Sequence, residues 1–283
     1  MQFSMLKFLE QHPLKDYTTW GIGGPARLFC TVSTINEMIE VMQTDERFLV
    51  IGKGSNLLFD DRGFNGLVIL NKIDFLEQDD TTFFVGGGRS FSHLGAKTAR
   101  MGYAGLEFAS GIPGTVGGAV YMNAGAGGHE TCDVLTEVHF VDSYRLHVLP
   151  RKALSFAYRS SPFQTMRGAI VAAKFDLKPC LEAKKRQLDL INYRMKTQPY
   201  GEKTCGCVFR NPGDEGAGAL IDACGLKGLQ IGDIEVSGQH GNFLINRGQG
   251  RACDVLKLIA KIKQVVKEKK GIDLEIEVKT VDF

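Results

Sequence analysis

Residues 105–128 hold eight glycines in 24 positions, and between them stand Leu106, Phe108, Ile112, Val116, Val120, Tyr121 and Met122. Flexible linkers of such glycine content carry Ser, Glu and Lys. This stretch instead carries side chains that want burial. A buried, glycine-dense backbone approaches something closely, because no Cβ stands in the way and amides can point outward. Two readings stand open: a seat for a phosphate-bearing cofactor, or a tightly packed structural crossover.

A second such stretch follows the short apolar run 48–51: Gly52, Lys53, Gly54, Ser55 and Asn56. Phosphate loops follow buried strands in this way, and so do plain turns. No helical pattern comes next, since Leu57, Leu58 and Phe59 lead into Asp60 and Asp61. The stretch lacks the third glycine of a Rossmann fingerprint and the Gly-Lys-Ser/Thr of a P-loop, so neither common nucleotide fold is indicated. Two backbone cradles could hold a pyrophosphate between them, as a dinucleotide requires.

The 283-residue chain is long enough for one large domain or two ordinary ones. A hydrophobic share of 43% against 23% charged residues is that of a soluble globular protein. A net charge of +2 supplies no concentrated basic surface for nucleic acid. No run approaches the roughly 20 apolar residues that span a bilayer. The N-terminal residues show no basic region, apolar core and cleavage site, so no secretory signal is expected. Seven scattered cysteines fit reduced thiols in a cytosol. The close pair Cys205 and Cys207 is a poor zinc signal without a second pair, and the six histidines add no ligand spacing, so no metal is expected.

The first half alternates strand and helix signals. Strands are expected at 26–32, 48–51, 67–70 and 83–85. Thr34 and Glu37 form a capping box before Met38, Val41 and Met42 at helical spacing. The spacing predicts a helix over 90–101, closed by Gly102. Strands follow near 138–141 and 169–175, then a charged amphipathic helix over 181–196 that ends before Pro199 and marks a domain boundary. Beyond it come a short helix at 217–223, strands near 231–236 and 242–245, and a long helix with the apolar stripe Val255, Leu258, Ile259, Ile262 and Val266. A last strand is expected at 274–279.

Four groups of residues could carry chemistry. Arg159, between Tyr158 and Ser160, could clamp a carboxylate bidentately, or sit in an ordinary surface turn. Cys207 could be a small buried hydrophobe or a proton donor, since a thiol of ordinary pKa about 8.5 is mostly protonated at neutral pH. Glu275 and Glu277 would share one face of the last strand, opposite Leu274, Ile276 and Val278, which suits acid–base work or a solvent face. His240 opens a strand and is open to structural and ligand roles alike. No Ser-His-Asp order marks a hydrolase.

Taken in order, these motifs resemble the UDP-N-acetylenolpyruvoylglucosamine reductase family over nearly the whole chain. The likeness runs through Thr18, Thr19, Trp20, Gly21, Ile22, Gly23, Gly24 and Pro25, then 51–58, 111–118 and 123–126. It continues through Tyr158, Arg159 and Ser160, 208–212, 240–243 and 274–278. The resemblance implies an α+β, FAD-binding fold of the vanillyl-alcohol-oxidase type over residues 1–180, in subdomains of about 1–70 and 71–180. A smaller α+β substrate-binding domain over 181–283 would follow. Residues expected to contact a non-covalent FAD are Gly52, Lys53, Gly54, Ser55, Asn56 and Leu57. With them come Gly111, Ile112, Pro113, Gly114, Thr115, Gly117, Gly118, Ala119, Asn123, Ala124 and Gly125.

The implied reaction has two halves. NADPH gives hydride to the flavin, and the reduced flavin gives it to the enolpyruvyl group of a UDP-sugar in peptidoglycan precursor synthesis. Arg159 and Glu277 align with the residues that stabilise the enolate, and Cys207 with the proton donor. Tyr158, Arg194, Lys196, Asn211 and His240 align with substrate contacts. The resemblance further implies a cytoplasmic monomer with no membrane or nucleic-acid partner. Two departures stand out. Cys207 occupies a position that is serine in most members, and the tyrosine-bearing insertion of longer members is absent. A flavin oxidase on the same fold, or a non-enzymatic nucleotide-sugar binder, are the alternatives.

Overall fold

The computed structural model describes residues 6–213 and 215–283. Residues 1–5, part of the stretch read as lacking a secretory signal, lie outside the described residues. The chain gathers into two compact units, each assembled from separated stretches. One takes Phe29–Gly52 and Leu67–Tyr193 with the residues before Glu10, and the other takes Glu10–Leu28, Lys53–Gly66 and Arg194–Phe283. The units are therefore not the linear segments 1–180 and 181–283.

In the first unit, an antiparallel sheet runs in the order Leu146–Pro150, Leu135–Val141, Ala169–Asp176, Thr82–Gly86, Leu76–Asp79. Its central strand is continuously apolar at the start, and Ala169, Ile170, Val171, Ala172 and Ala173 are all buried. That composition suits a strand covered on both faces. Helix α1 (Ile35–Val41) starts at Thr34, whose hydroxyl accepts from Glu37 N at 3.1 Å while the Glu37 carboxylate accepts from Thr34 N at 3.1 Å. This is the expected capping box. Helix α2 (Phe91–Arg100) has Ser90 at its N-cap and ends at Met101, followed by Gly102 at φ +83°. The α2 residues Phe91 and Leu94 join Phe83, Val85 and Phe175 in one core. The strand Phe48–Ile51 pairs in parallel with residues 67–70.

The glycine-rich stretch contains a helix that its sequence does not announce, α3 (Val116–Met122). Gly117 and Gly118 argue against a helix on propensity alone. Tertiary packing overrides that preference: Val116, Ala119 and Val120 are buried in the same core. Helix α4 (Ala183–Thr197) falls where a helix is expected.

The second unit is built around helix α6 (Ala252–Lys270), which follows the short helix α5 (Ala217–Ala223). The α6 stripe Val255, Leu258, Ile259, Ile262 and Val266 is buried against Val236, Leu244 and Leu220. Each such aliphatic side chain contributes about 1.5–3 kcal/mol when fully buried. Asp61 caps the helix from far away in sequence, its carboxylate accepting from Ala252 N at 2.8 Å and Cys253 N at 3.2 Å. Gly271, at φ +71°, ends it. The strands Gln230–Ile231, Ile234–Val236 and Leu244–Asn246 form an antiparallel meander. Trp20 is fully buried, donating from Nε1 to Leu244 O at 2.8 Å.

The expected strand at 274–279 is not a regular strand. Lys279–Val281 pairs, in parallel, with Leu57–Phe59, and Ile276 makes an isolated antiparallel bridge with Phe209. Leu274 and Val278 are buried, but Ile276 between them is 36% exposed, so the alternation does not define one apolar face. The main chain of 275–277 bonds instead to 208–210.

Candidate active site

In the first unit, Gly52 ends the strand Phe48–Ile51, and a Cβ there would collide with Thr115 Oγ1. That hydroxyl is the N-cap of α3, accepting from Gly118 N at 3.3 Å. A Cβ on Gly117 would meet Gly87 O at 3.1 Å and Ile170 O at 3.2 Å, so this glycine serves close packing. Gly118 differs: it is exposed, and only Thr115 Oγ1, at 3.4 Å, lies near its Cβ position. The glycine-rich stretch therefore packs closely at Gly117 and leaves its backbone open at Gly118. Several amides expected to face a cofactor bond inside the protein. Gly111 N donates to Ser92 Oγ at 2.7 Å, Ile112 N to Ala109 O at 2.9 Å, Gly114 N to Ile112 O at 2.8 Å and Gly117 N to Gly87 O at 2.8 Å. Pro113 is exposed, and Ala119 is buried.

The far end of the stretch is a buried polar knot. Asn123 takes the left-handed conformation at the end of α3, φ +44°, and is fully buried. Its side chain donates to Glu130 Oε2 at 2.7 Å and Ala157 O at 3.0 Å and accepts from Cys132 N at 3.1 Å. Ala124 N closes the helix end on Ala119 O at 2.8 Å, and Gly125 pairs with Glu130. Asn123 thus organises the backbone around it.

Arg159 is drawn to the same place. Ala157 and Ser160 exchange main-chain hydrogen bonds of 3.2 and 2.9 Å around the turn Tyr158-Arg159. Arg159 sits at φ +54°, where this turn ordinarily takes glycine. Its Nη2 donates to Gly125 O at 3.2 Å, and its guanidinium carbon lies 5.1 Å from the centre of the Tyr158 ring. Gln164 Nε2 bonds both Arg159 O, at 3.0 Å, and Tyr121 O, at 3.1 Å, and so ties the turn to α3.

The second unit holds 53–56, Cys207 and Glu277. Gly54, at φ +58°, accepts from Thr19 N at 3.4 Å, and a Cβ on it would collide with the Tyr17 carbonyl. Lys53 and Ser55 flank it, and Leu57 opens the strand Leu57–Phe59. Asn56 Nδ2 donates to Glu277 O at 3.3 Å. Glu277 N donates to Val208 O at 2.8 Å, which puts Glu277 beside the segment carrying Cys207. Cys207 bridges to Phe243 on the other side. Cys205 is buried, and its thiol is pushed well up, first by burial and then by the neighbouring Cys207 and Glu277. It is a neutral thiol at any ordinary pH. Glu275, by contrast, points outward and pairs with Arg210 at 3.4 Å.

The other expected substrate residues in this unit have partners of their own. His240 Nδ1 accepts from Asn242 N at 3.2 Å, and the ring packs edge-on against Phe243. Burial, and then the charge of Lys227, hold its pKa below the usual value. Asn211 Oδ1 accepts from Ala217 N at 3.1 Å and caps α5. Arg194 Nε donates to Gln198 at 3.3 Å, and Lys196 is exposed. Gln239 Nε2 reaches Met195 O at 3.3 Å, so this end of α4 is tied to the turn carrying His240. Among the described residues, no cluster of His, Cys, Asp and Glu is arranged to hold a metal, and no helix is long and apolar enough to cross a membrane. The carboxamide of Asn242 bonds both main-chain groups of Phe209, a contact that sequence reasoning did not anticipate. An asparagine opening a strand directly after a turn is the one local signal that marks it.

Residues 198–281 match the family described as UDP-N-acetylenolpyruvoylglucosamine reductase, C-terminal domain, and residues 26–144 match the family described as FAD binding domain. The UDP-N-acetylenolpyruvoylglucosamine reductase of Protochlamydia amoebophila is 53% identical over 276 residues, covering 95% of this chain and 92% of the relative. That of Chlamydia muridarum is 46% identical over 282 residues, covering 97% and 94%. Among solved structures, UDP-N-acetylenolpyruvylglucosamine reductase from Thermus caldophilus superposes with a TM-score of 0.84 at 39% identity, covering 98% of this chain and 99% of that one.

Proposed function

This chain belongs to the UDP-N-acetylenolpyruvoylglucosamine reductase family, and on that premise we propose how its residues divide the work. It is an FAD-dependent oxidoreductase that uses NADPH to reduce the enolpyruvyl group of UDP-N-acetylenolpyruvoylglucosamine, a step of peptidoglycan precursor synthesis. The residues present suit the cofactor. Gly118 is exposed and leaves open space where a side chain would stand, while Gly52 and Gly54 pack their backbone against Thr115 and the Tyr17 carbonyl. Gly52, 53–57, 111–115, Gly117, Gly118, Ala119 and 123–125 would hold the FAD. Their part is mainly shape, since many of their amides already bond within the protein.

The bound flavin supplies the hydride, drawn from NADPH, that the substrate receives. As charge builds on the substrate carboxylate, the Arg159 guanidinium stabilises it where it develops. Glu277 assists as a protonated or hydrogen-bonded carboxyl. Cys207 holds a proton on Sγ and delivers it to the substrate carbon that did not receive the hydride. Tyr158, Arg194, Lys196, Asn211 and His240 orient the nucleotide sugar, with Asn211 acting partly through the start of α5. The UDP-sugar substrate and the cysteine usage support a cytoplasmic enzyme, and we take it to act as a monomer.

The observation that supports this reading is the hydrogen bond from Glu277 N to Val208 O, which brings the main chain of Glu277 against the segment that carries Cys207. The test is anaerobic. NADPH should bleach the yellow protein, and the enolpyruvyl substrate should restore the colour. Cys207→Ser should complete both steps. Cys207→Ala should bleach and stay bleached. Normal turnover by Cys207→Ala would show that the proton comes from another group.

A further inference from the structure

We propose that Asn242 is a positioning residue for the proton-donating segment, acting as a side-chain strand that fixes where Cys207 stands. The proposal rests on Cys207 being the donor.

Asn242 is 1% exposed, and its carbonyl and its carboxamide both bond to the main chain of 208–209. Its main-chain carbonyl accepts from Val208 N at 2.9 Å. Its Oδ1 accepts from Phe209 N at 2.9 Å, and its Nδ2 donates to Phe209 O at 2.8 Å. The carboxamide thus pairs with both main-chain groups of Phe209, as a peptide unit in a ladder would. On the opposite edge, Glu277 N donates to Val208 O at 2.8 Å and Arg210 N donates to Glu275 O at 2.8 Å. The segment 207–210 is therefore held between 242–243 and 275–277.

The segment needs such a grip because of what precedes it. Gly206 lies at φ +83° with open space around its Cβ position, so no side chain packs the residue that leads into Cys207. Cys207 itself bridges to Phe243, the residue after Asn242. His240 completes the arrangement by accepting from Asn242 N at 3.2 Å, which sets the turn from which the carboxamide projects. The proton must leave Sγ along one direction, and a displacement of about 1 Å in such a group costs about a hundredfold in rate.

The carboxamide must donate at one atom and accept at the other, so charge on it is the test. In Asn242→Asp the introduced carboxyl keeps the shape. Protonated, it can donate to Phe209 O and accept from Phe209 N. Ionised, it sets negative charge against Phe209 O. The partly buried groups facing it are the His240 ring and the Phe209 main chain.

The assay is the anaerobic two-step experiment on the full-length FAD-loaded enzyme, with thermal unfolding of the same samples. Asn242→Ala should bleach with NADPH within about twofold of the wild-type rate, and recolour about a hundredfold more slowly with little change in substrate affinity. Asn242→Asp should recolour fast at low pH and slow steeply as pH rises through its carboxyl pKa. Bleaching should stay flat across that range. Recolouring at wild-type rate in both variants, or an equal fall of both steps, overturns the proposal. So does failure of both variants to accumulate as yellow protein, because Asn242 would then be a requirement of folding. Cys207→Ala in the same assay separates this from the donor assignment: full turnover there removes Cys207 whatever Asn242 does.

Discussion

The side-chain amide of Asn56 donates to the main-chain carbonyl of Glu277 at 3.3 Å, while Asn56 O accepts from Lys279 N at 3.0 Å. A residue expected to serve the cofactor thereby also anchors the residue expected to serve the substrate's charge. Asn56→Ala should lower the unfolding free energy by about 1 kcal/mol. It should also slow the substrate half-reaction. Urea titration beside the two-step assay checks both, and an unchanged urea midpoint would mean the bond adds nothing.

Gly117 and Gly118 are adjacent but should respond oppositely to alanine. At Gly117 the new methyl presses on two carbonyl oxygens, at 3.1 and 3.2 Å, and should cost about 1–3 kcal/mol. At Gly118 it enters open space on a helix and should gain up to about 1 kcal/mol. If FAD lies over this face, Gly118→Ala raises the thermal midpoint while loosening the flavin. Flavin retained through gel filtration at the wild-type level would place the cofactor elsewhere.

Asp61 holds the two leading amides of α6. Its loss should cost about 1–2 kcal/mol, as at other strong N-caps. Asp61→Asn keeps one acceptor and should fall between Asp61→Ala and the wild type. The urea midpoint should drop with the slope unchanged, because the same surface is exposed on unfolding.

His240 gives stability a pH dependence. Its folded pKa lies below the unfolded value of about 6.5, so the unfolded chain binds the extra proton first. The contribution is present above that pH and is lost as pH falls through the window beneath it. Lowering the pH from about 7.5 to about 5.5 should therefore shift the urea midpoint down, and His240→Gln should shrink the shift. An equal shift in both proteins would assign the effect to other groups.

Arg159 occupies a left-handed position that costs an ordinary residue about 1–3 kcal/mol. Arg159→Gly removes that strain and loses the hydrogen bond to Gly125, worth about 1 kcal/mol. Its stability should stay within about 1 kcal/mol of wild type while substrate reduction stops. A large loss of stability would show that the arginine holds the turn together.

Local signals carried much of this fold. The Thr34 and Glu37 box, Ser90 and Gly102 around α2, and the α6 stripe were legible because caps and periodicity act within a few residues. Helix α3 was not legible, because Gly117 and Gly118 speak against it and only long-range burial supports it. At 274–278 the apolar alternation suggested a strand; its main chain pairs with 208–210 only at a single bridge, and Ile276 is exposed. The joining of 10–28 and 53–66 to the C-terminal residues rests on pairings such as Leu57 with Lys279, which no local pattern encodes. The site was legible as separate motifs. The family membership expected from their order is borne out by relatives covering nearly the whole chain. The bonds linking Asn56 to Glu277, and Asn242 to Phe209, were not legible, because they depend on where distant segments meet.

The guanidinium of Arg159 hangs from Gly125 O, a main-chain atom of the glycine-rich stretch itself. The cation assigned to the substrate's carboxylate is thereby tied to that stretch. It moves with the floor on which the FAD is proposed to rest. A substitution such as Ala124→Val, remote from every reacting group, would shift that floor and emerge as a slower reaction. Backbone shape around Gly125 and the charge proposed to serve catalysis are thus coupled through one hydrogen bond.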